Sequence, residues 1–210
     1  MKKLFSLLLG GILLAWSSCS CPPNEKVGDL TLTETAIAFL PYDGNEVLTF
    51  VDETGTELKL QTLNGRETQE NQLCTRTTCT EASYGSPSSC EYYAAESRRY
   101  TFNNEDQTIL IDLLLYTEVY ERNDATFYDA LQAAFSAGTP NIVGHHLIEG
   151  RFDDAINLSN INLTDFLTPV ENIELNGTPF TDILQYEEGE LALYLQAGTG
   201  IIGFKNADHL

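Results

Sequence analysis

His145 and His146 stand side by side, with Asp153 and Asp154 a short way downstream. Imidazoles and carboxylates close together are the raw material of a metal site or an acid–base site. On a strand, however, adjacent side chains point to opposite faces, so these two histidines would not share one ion. His209, next to the last residue, reads as a surface residue. Carboxylates are so numerous, 31 in all, that a glycosidase-like pair can be drawn almost anywhere. That abundance deprives any single pair of meaning. The patterns that carry chemistry more specifically are absent: no Gly-x-Ser-x-Gly, no His-Glu-x-x-His, no phosphate-binding loop and no calcium loop occur. Nothing in the sequence points to a cofactor or a bound metal.

The cysteines have more to say. Of five, Cys74, Cys79 and Cys90 lie close together in a polar stretch, and Cys19 and Cys21 lie near the start. Cys74 and Cys79 are spaced as some zinc ligands are, but only one further cysteine and no histidine lie nearby, and a redox Cys-x-x-Cys is missing. Disulfides are the better reading in an oxidising compartment. Cys21, Cys74, Cys79 and Cys90 are the candidates, with at least one bridge expected within the cluster of three. Four cysteines allow three pairings, and the sequence does not choose among them. Tyr92, Tyr93, Tyr100, Tyr116 and Tyr120 fall on two segments that should pair. They are either a face for sugar or peptide, or ordinary cross-strand packing.

These residues need elements to hold them, and the elements read as mainly β: a β-rich α+β domain with an antiparallel, meandering sheet, arranged as a sandwich or open barrel. Strands are expected within Leu30–Leu40, at Glu46–Val51 and at Glu57–Leu63, where Leu58 and Leu60 alternate with Lys59 and Gln61. Asn64-Gly65 reads as a hairpin stop, and Thr68–Ser89 as a long loop. Tyr92–Phe102 and Thr108–Tyr120 should form an antiparallel pair. One packed helix is expected over 124–137, capped by Asp124, with Phe127, Leu131, Ala134 and Phe135 at helical spacing and Gly138 and Pro140 as the stop. Strands resume at Ile142–Ile148, Asn157–Leu163, Val170–Leu175, Phe180–Tyr186, Leu191–Leu195 and Ile201–Lys205, with turns at Asn176-Gly177 and Glu188-Gly189 and the Gly198-Thr199-Gly200 link before the last strand. Many short strands with glycine turns and one helix give a sheet-on-core architecture.

The first eighteen residues differ from all of this. Lys2 and Lys3 precede a largely apolar run from Leu4 to Trp16, followed by Ser17 and Ser18. This is the three-part pattern of an export signal. The run would rise only about 20 Å as a helix, against roughly 30 Å of bilayer hydrocarbon. With Cys19 directly after the small residues, the segment resembles the signals of bacterial lipoproteins, in which that cysteine is lipidated and becomes the first residue of the mature chain. Trp16 departs from the aliphatic residue usual there, and Cys21, preceded by Ser20, is the alternative lipid site. The resemblance implies a signal peptide over 1–18, a lipidated tether over 19–27 carrying Pro22-Pro23, and a single domain over 28–210. Phe180–Leu210, through Tyr194, Gly200-Ile201-Ile202-Gly203-Phe204-Lys205 and Leu210, resembles the ends of small exported lipoproteins of unknown function, which implies a sheet-closing hairpin and carries over no catalytic residue.

Charge narrows the partners. The chain carries 31 acidic and 11 basic residues, a net of −20. Lys2 and Lys3 are the only charges before Ser17, so the remainder carries 9 basic residues against 31 acidic, near −22. Such a surface repels phosphate backbones, which excludes nucleic acid as a partner. The expectation is a membrane-anchored protein of the bacterial cell envelope, in the outer membrane and facing the periplasm or the surface. It would act by binding a protein or saccharide or as an envelope component. The alternative is an exported hydrolase or carbohydrate-active enzyme that uses carboxylates or the His145 region.

Overall fold

The computed structural model describes residues 21–80, 88–121, 125–138, 141–151, 161 and 166–206. The protein is mainly β, with a curled half-barrel of antiparallel strands, a second sheet and one short helix. The strands are β1 (Glu25–Leu30), β2 (Val47–Val51), β3 (Glu57–Cys79), β4 (Ser89–Asn103), β5 (Ile109–Glu121), β6 (Thr126–Ala137), β7 (Asn141–Arg151), β8 (Thr168–Leu175), β9 (Thr178–Glu188), β10 (Leu191–Gln196) and β11 (Gly200–Lys205). The helix, α1, is Glu34–Ala38.

The half-barrel runs β2-β3-β4-β5-β6-β7 in order, so neighbours in sequence are neighbours in space. One strand breaks the meander: β1 lies parallel to the first half of β4, Leu30 opposite Ala95. The second half of β4, Ser97–Asn103, pairs with β5. The smaller sheet is a second meander, β11-β10-β9-β8.

Alternation explains where the core sits. Ile109, Ile111, Leu113 and Leu115 on β5 face inward with Leu131, Ala133 and Phe135 on β6. Leu191, Leu193 and Leu195 of β10 meet them from the second sheet, so both sheets share one core. The intervening Ala192 and Tyr194 are buried on the other face, with Ile183, Val170, Ile173 and Phe180. A strand buried on both sides reads as a continuous apolar run, which is what Leu191–Leu195 is. Leu175 of β8 comes so close to Gly203 of β11 that a Cβ there would lie 3.0 Å from it. Since β8 and β11 are opposite edges of the same sheet, the sheet curls over on itself.

Four sequence expectations need correction. The segment expected as a helix over 124–137 is strand β6 from Thr126 to Ala137, and Asp124 lies outside the described residues. Helical spacing was available because both faces of β6 are buried: Phe127, Leu131 and Phe135 on one, Tyr128 and Ala130 on the other. A buried acid, Asp129, interrupts the inward alternation. The helix instead falls at Glu34–Ala38, in a stretch read as extended, because the Thr33 side chain caps it by accepting from the Ala36 amide at 3.1 Å. Asn64-Gly65 is no hairpin stop; the pairing skips between Thr62 and Arg66, a bulge in which Gly65 takes φ +73°. Most of the expected loop Thr68–Ser89 is the second half of β3. Beyond Gln61 no β2 partner remains, so β3 is an edge strand, and its polar residues suit a solvated edge. The expected strand Asn157–Leu163 lies almost wholly outside the described residues.

Two disulfides close the far end of the half-barrel: Cys21–Cys79 and Cys74–Cys90, with Cα separations of 5.6 and 5.7 Å. One bridge lies within the cluster of three, as expected, and the leftover Cys79 reaches Cys21. Cys19 lies outside the described residues.

Candidate functional site

A cleft of about 960 Å³ opens where the β2–β3 turn, the turns after β4 and β6, and the β8–β9 turn meet. It lies at the Glu57 end of β3, and the disulfides hold the other. Phe50 and Phe204 meet edge to face at its base, centroids 5.1 Å apart, and Phe204 leans in turn on Phe135 at 5.4 Å. Phe180, Tyr194 and Ile202 line the side built by the second sheet. Burial pushes the Tyr194 hydroxyl above its usual pKa, with the Glu187 charge adding to the effect, so it remains a neutral hydrogen-bonding group.

The walls are tied together. The β8–β9 turn is a two-residue type I′ turn, with Asn176 at φ +48° and Gly177 at φ +76° between the paired Leu175 and Thr178. From this turn the Asn176 side-chain amide donates to the carbonyls of Val51 and Asp52, at 3.0 and 3.1 Å. The two hairpins are thereby clipped across the cleft. In the β2–β3 turn, one Asp52 oxygen accepts from the amides of Thr54 and Thr56, both at 2.8 Å, and from the Thr54 hydroxyl at 2.7 Å.

The charges are one-sided. Asp52, Glu53, Glu57 and Glu174 line the cleft, and among the described residues no Lys, Arg or His does. Lys59 reaches Glu57 from outside at 3.7 Å, a loose, exposed pair worth little. A cleft of this volume is in the range that holds small molecules.

The residues singled out in the sequence lie elsewhere. His145 and His146 stand on β7 opposite Gln132 and Leu131, so consecutive side chains take opposite faces, as the period-two argument requires. His146 packs on Phe39 with ring centroids 5.3 Å apart, and burial pulls its pKa below the usual value, which favours the neutral ring. Asp153 and Asp154 lie outside the described residues. Among the described residues, no group of three or more His, Cys, Asp or Glu is placed to hold a metal ion. The tyrosines form no single face. Tyr100 is buried and donates to the Tyr42 carbonyl at 2.8 Å, while Tyr93 packs edge to face on Phe127.

Sequence reasoning missed a second polar cluster, inside the half-barrel. Asp129 is fully buried. It accepts from the Thr117 hydroxyl at 2.6 Å, from the Thr33 amide at 3.0 Å and from Arg151 at 3.0 Å. Arg151 also donates to the Thr31 carbonyl at 2.6 Å. These bonds strap the segment between β1 and α1 to β5, β6 and β7. The polar groups of this cluster named here hold chain to chain, and the cluster reads as structural. The signal was a lone acid between Phe127 and Leu131 in an apolar alternation.

Compared with protein-family models, curated protein sequences and solved structures, the chain matches none.

Proposed function

We propose that this chain is a lipid-anchored protein of the bacterial cell envelope whose β domain binds a ligand rather than transforming one. The observation that carries the anchor is the Cys21–Cys79 disulfide. With Cys74–Cys90, it pairs four of the five cysteines with one another. Cys19, which follows the small residues of the export-type leader, is the thiol left for acylation. Cys21, the alternative lipid site, is already engaged. Two disulfides also suit an oxidising, extracytoplasmic compartment. Stable attachment needs more than one acyl chain, at about 0.8 kcal/mol per buried methylene, and lipoprotein-type acylation supplies several.

The binding half of the proposal rests on the cleft. It lies at the opposite end of β3 from the disulfides, so an anchor at Cys19, two residues from Cys21, would leave the opening facing away from the bilayer. The test is the intact mass of protein extracted from membranes, before and after reduction. The expected result is a chain that starts at Cys19, carries added acyl mass and gains about 2 Da per bridge on reduction. An unacylated mass recovered from the soluble fraction would overturn the anchor.

A further inference from the structure

We propose that the cleft takes an organic cation with an aromatic or branched apolar body. This rests on the binding reading above and names its ligand class. Two independent features of the cleft point the same way. The first is its base: Phe50, Phe180, Tyr194 and Phe204 offer aromatic rings, whose negative faces attract cations, most strongly quaternary ammonium groups. The second is its lining, which among the described residues includes four acids and no basic residue. Glu53 stands on the β2–β3 turn and Glu174 on β8, so both hairpins contribute an acid to the lining. A ligand with its apolar body on the rings and its charge at the acids satisfies both at once. An anion of the same shape would meet only carboxylates there, in the field of a chain of net charge −20. A neutral ligand gains the apolar contacts alone. The clip from Asn176 to the β2–β3 turn holds the walls in place before any ligand arrives, so little ordering cost falls on binding.

The test titrates the full acylated chain, held in neutral detergent, with three probes that share one ring system: naphthylmethyl-trimethylammonium, naphthylmethanol and naphthalenesulfonate. The expected result is saturable binding of the ammonium at one per chain, on the order of five- to tenfold tighter than the alcohol, with the sulfonate weakest. The double substitution Glu53→Gln with Glu174→Gln should remove that advantage and leave the alcohol unchanged. Both residues are exposed, so the fold tolerates the change. Glu118→Gln, on β5 and away from the cleft, should change nothing, which separates a site from general attraction to an acidic surface. Phe180→Ser should weaken ammonium and alcohol alike. Equal binding of ammonium and alcohol, or equal losses from the double substitution and from Glu118→Gln, would overturn the cation and leave the cleft as a binding site. Failure of all three probes to bind would overturn the cation and the binding reading together, and would not touch the anchor, which the mass measurement decides.

Discussion

At the scale of single residues, Asp129 and Arg151 matter most to the fold. Taking two charges out of water is costly, and removing only one partner strands the other. Arg151→Met should therefore lower stability by about 3–5 kcal/mol in urea unfolding. Asp129→Asn removes the charge yet keeps one oxygen for the Thr33 amide, while its NH2 can donate to the Thr117 hydroxyl oxygen. Added to Arg151→Met, it should recover part of that loss, and losses that simply add would refute the coupling. The residue scale is also where the sequence was least legible. Among 31 acids, only its place between Phe127 and Leu131 marks Asp129, and that signal speaks only once the segment is read as a strand. The cleft acids are equally anonymous, because residues 52, 53, 57 and 174 converge only through the β8–β9 turn. The separation of His145 from His146 was legible, since it follows from strand geometry alone.

Elements with an exposed face were easy to read, and β10, buried on both faces, was legible as a continuous apolar run between glycine turns. The expected β2, β5, β10 and β11 fall where alternation and glycine turns place them. β6 imitated a helix because its first half is buried on both faces, and the outer half of β3 imitated a loop because Thr68–Gln72 is exposed on both. Short-range chemistry decided α1, through one threonine cap. The turn into β11 allows a sharp test. Gly200 takes φ +85°, and a Cβ there would fall 2.0 Å from the Tyr42 hydroxyl oxygen, which also accepts from the Ile201 amide at 2.6 Å. Gly200→Ala should cost about 2–4 kcal/mol, from overpacking added to an unfavourable backbone conformation. Gly189 also has a positive φ, +63°, but an added Cβ meets nothing within 4 Å. Gly189→Ala should cost only about 1 kcal/mol. Equal losses in thermal or urea unfolding would show that Tyr42 is not the obstacle.

For the molecule as a whole, charge and connectivity dominate. A chain of net charge −20 repels itself when folded, and added salt screens that repulsion. Raising sodium chloride from low to physiological strength and beyond should stabilise the protein by roughly 1 kcal/mol, about 2–4 °C in melting temperature. A fall in the midpoint would mean that ion pairs, not repulsion, dominate. Fold class and the local bridge in the cysteine cluster were legible because composition and spacing carry them. The strand order was only partly so: a meander is the default, but the parallel insertion of β1 beside β4 has no local signal.

The two disulfides interlock, since Cys74 lies inside the span closed by Cys21 and Cys79 while its partner Cys90 lies beyond it. A chain that emerges from its N-terminus presents Cys74 to Cys21 before Cys79 exists in the same compartment. Joining cysteines in order of appearance gives Cys21–Cys74 and then Cys79–Cys90, a set in which neither bridge is native. The native set requires the β3–β4 ladder to form first and bring Cys74 and Cys90 together, or a mispaired bridge to be attacked by a free thiolate and exchanged. Wherever oxidation outruns that ladder, production of this protein therefore gains from a disulfide-shuffling catalyst beside the oxidant.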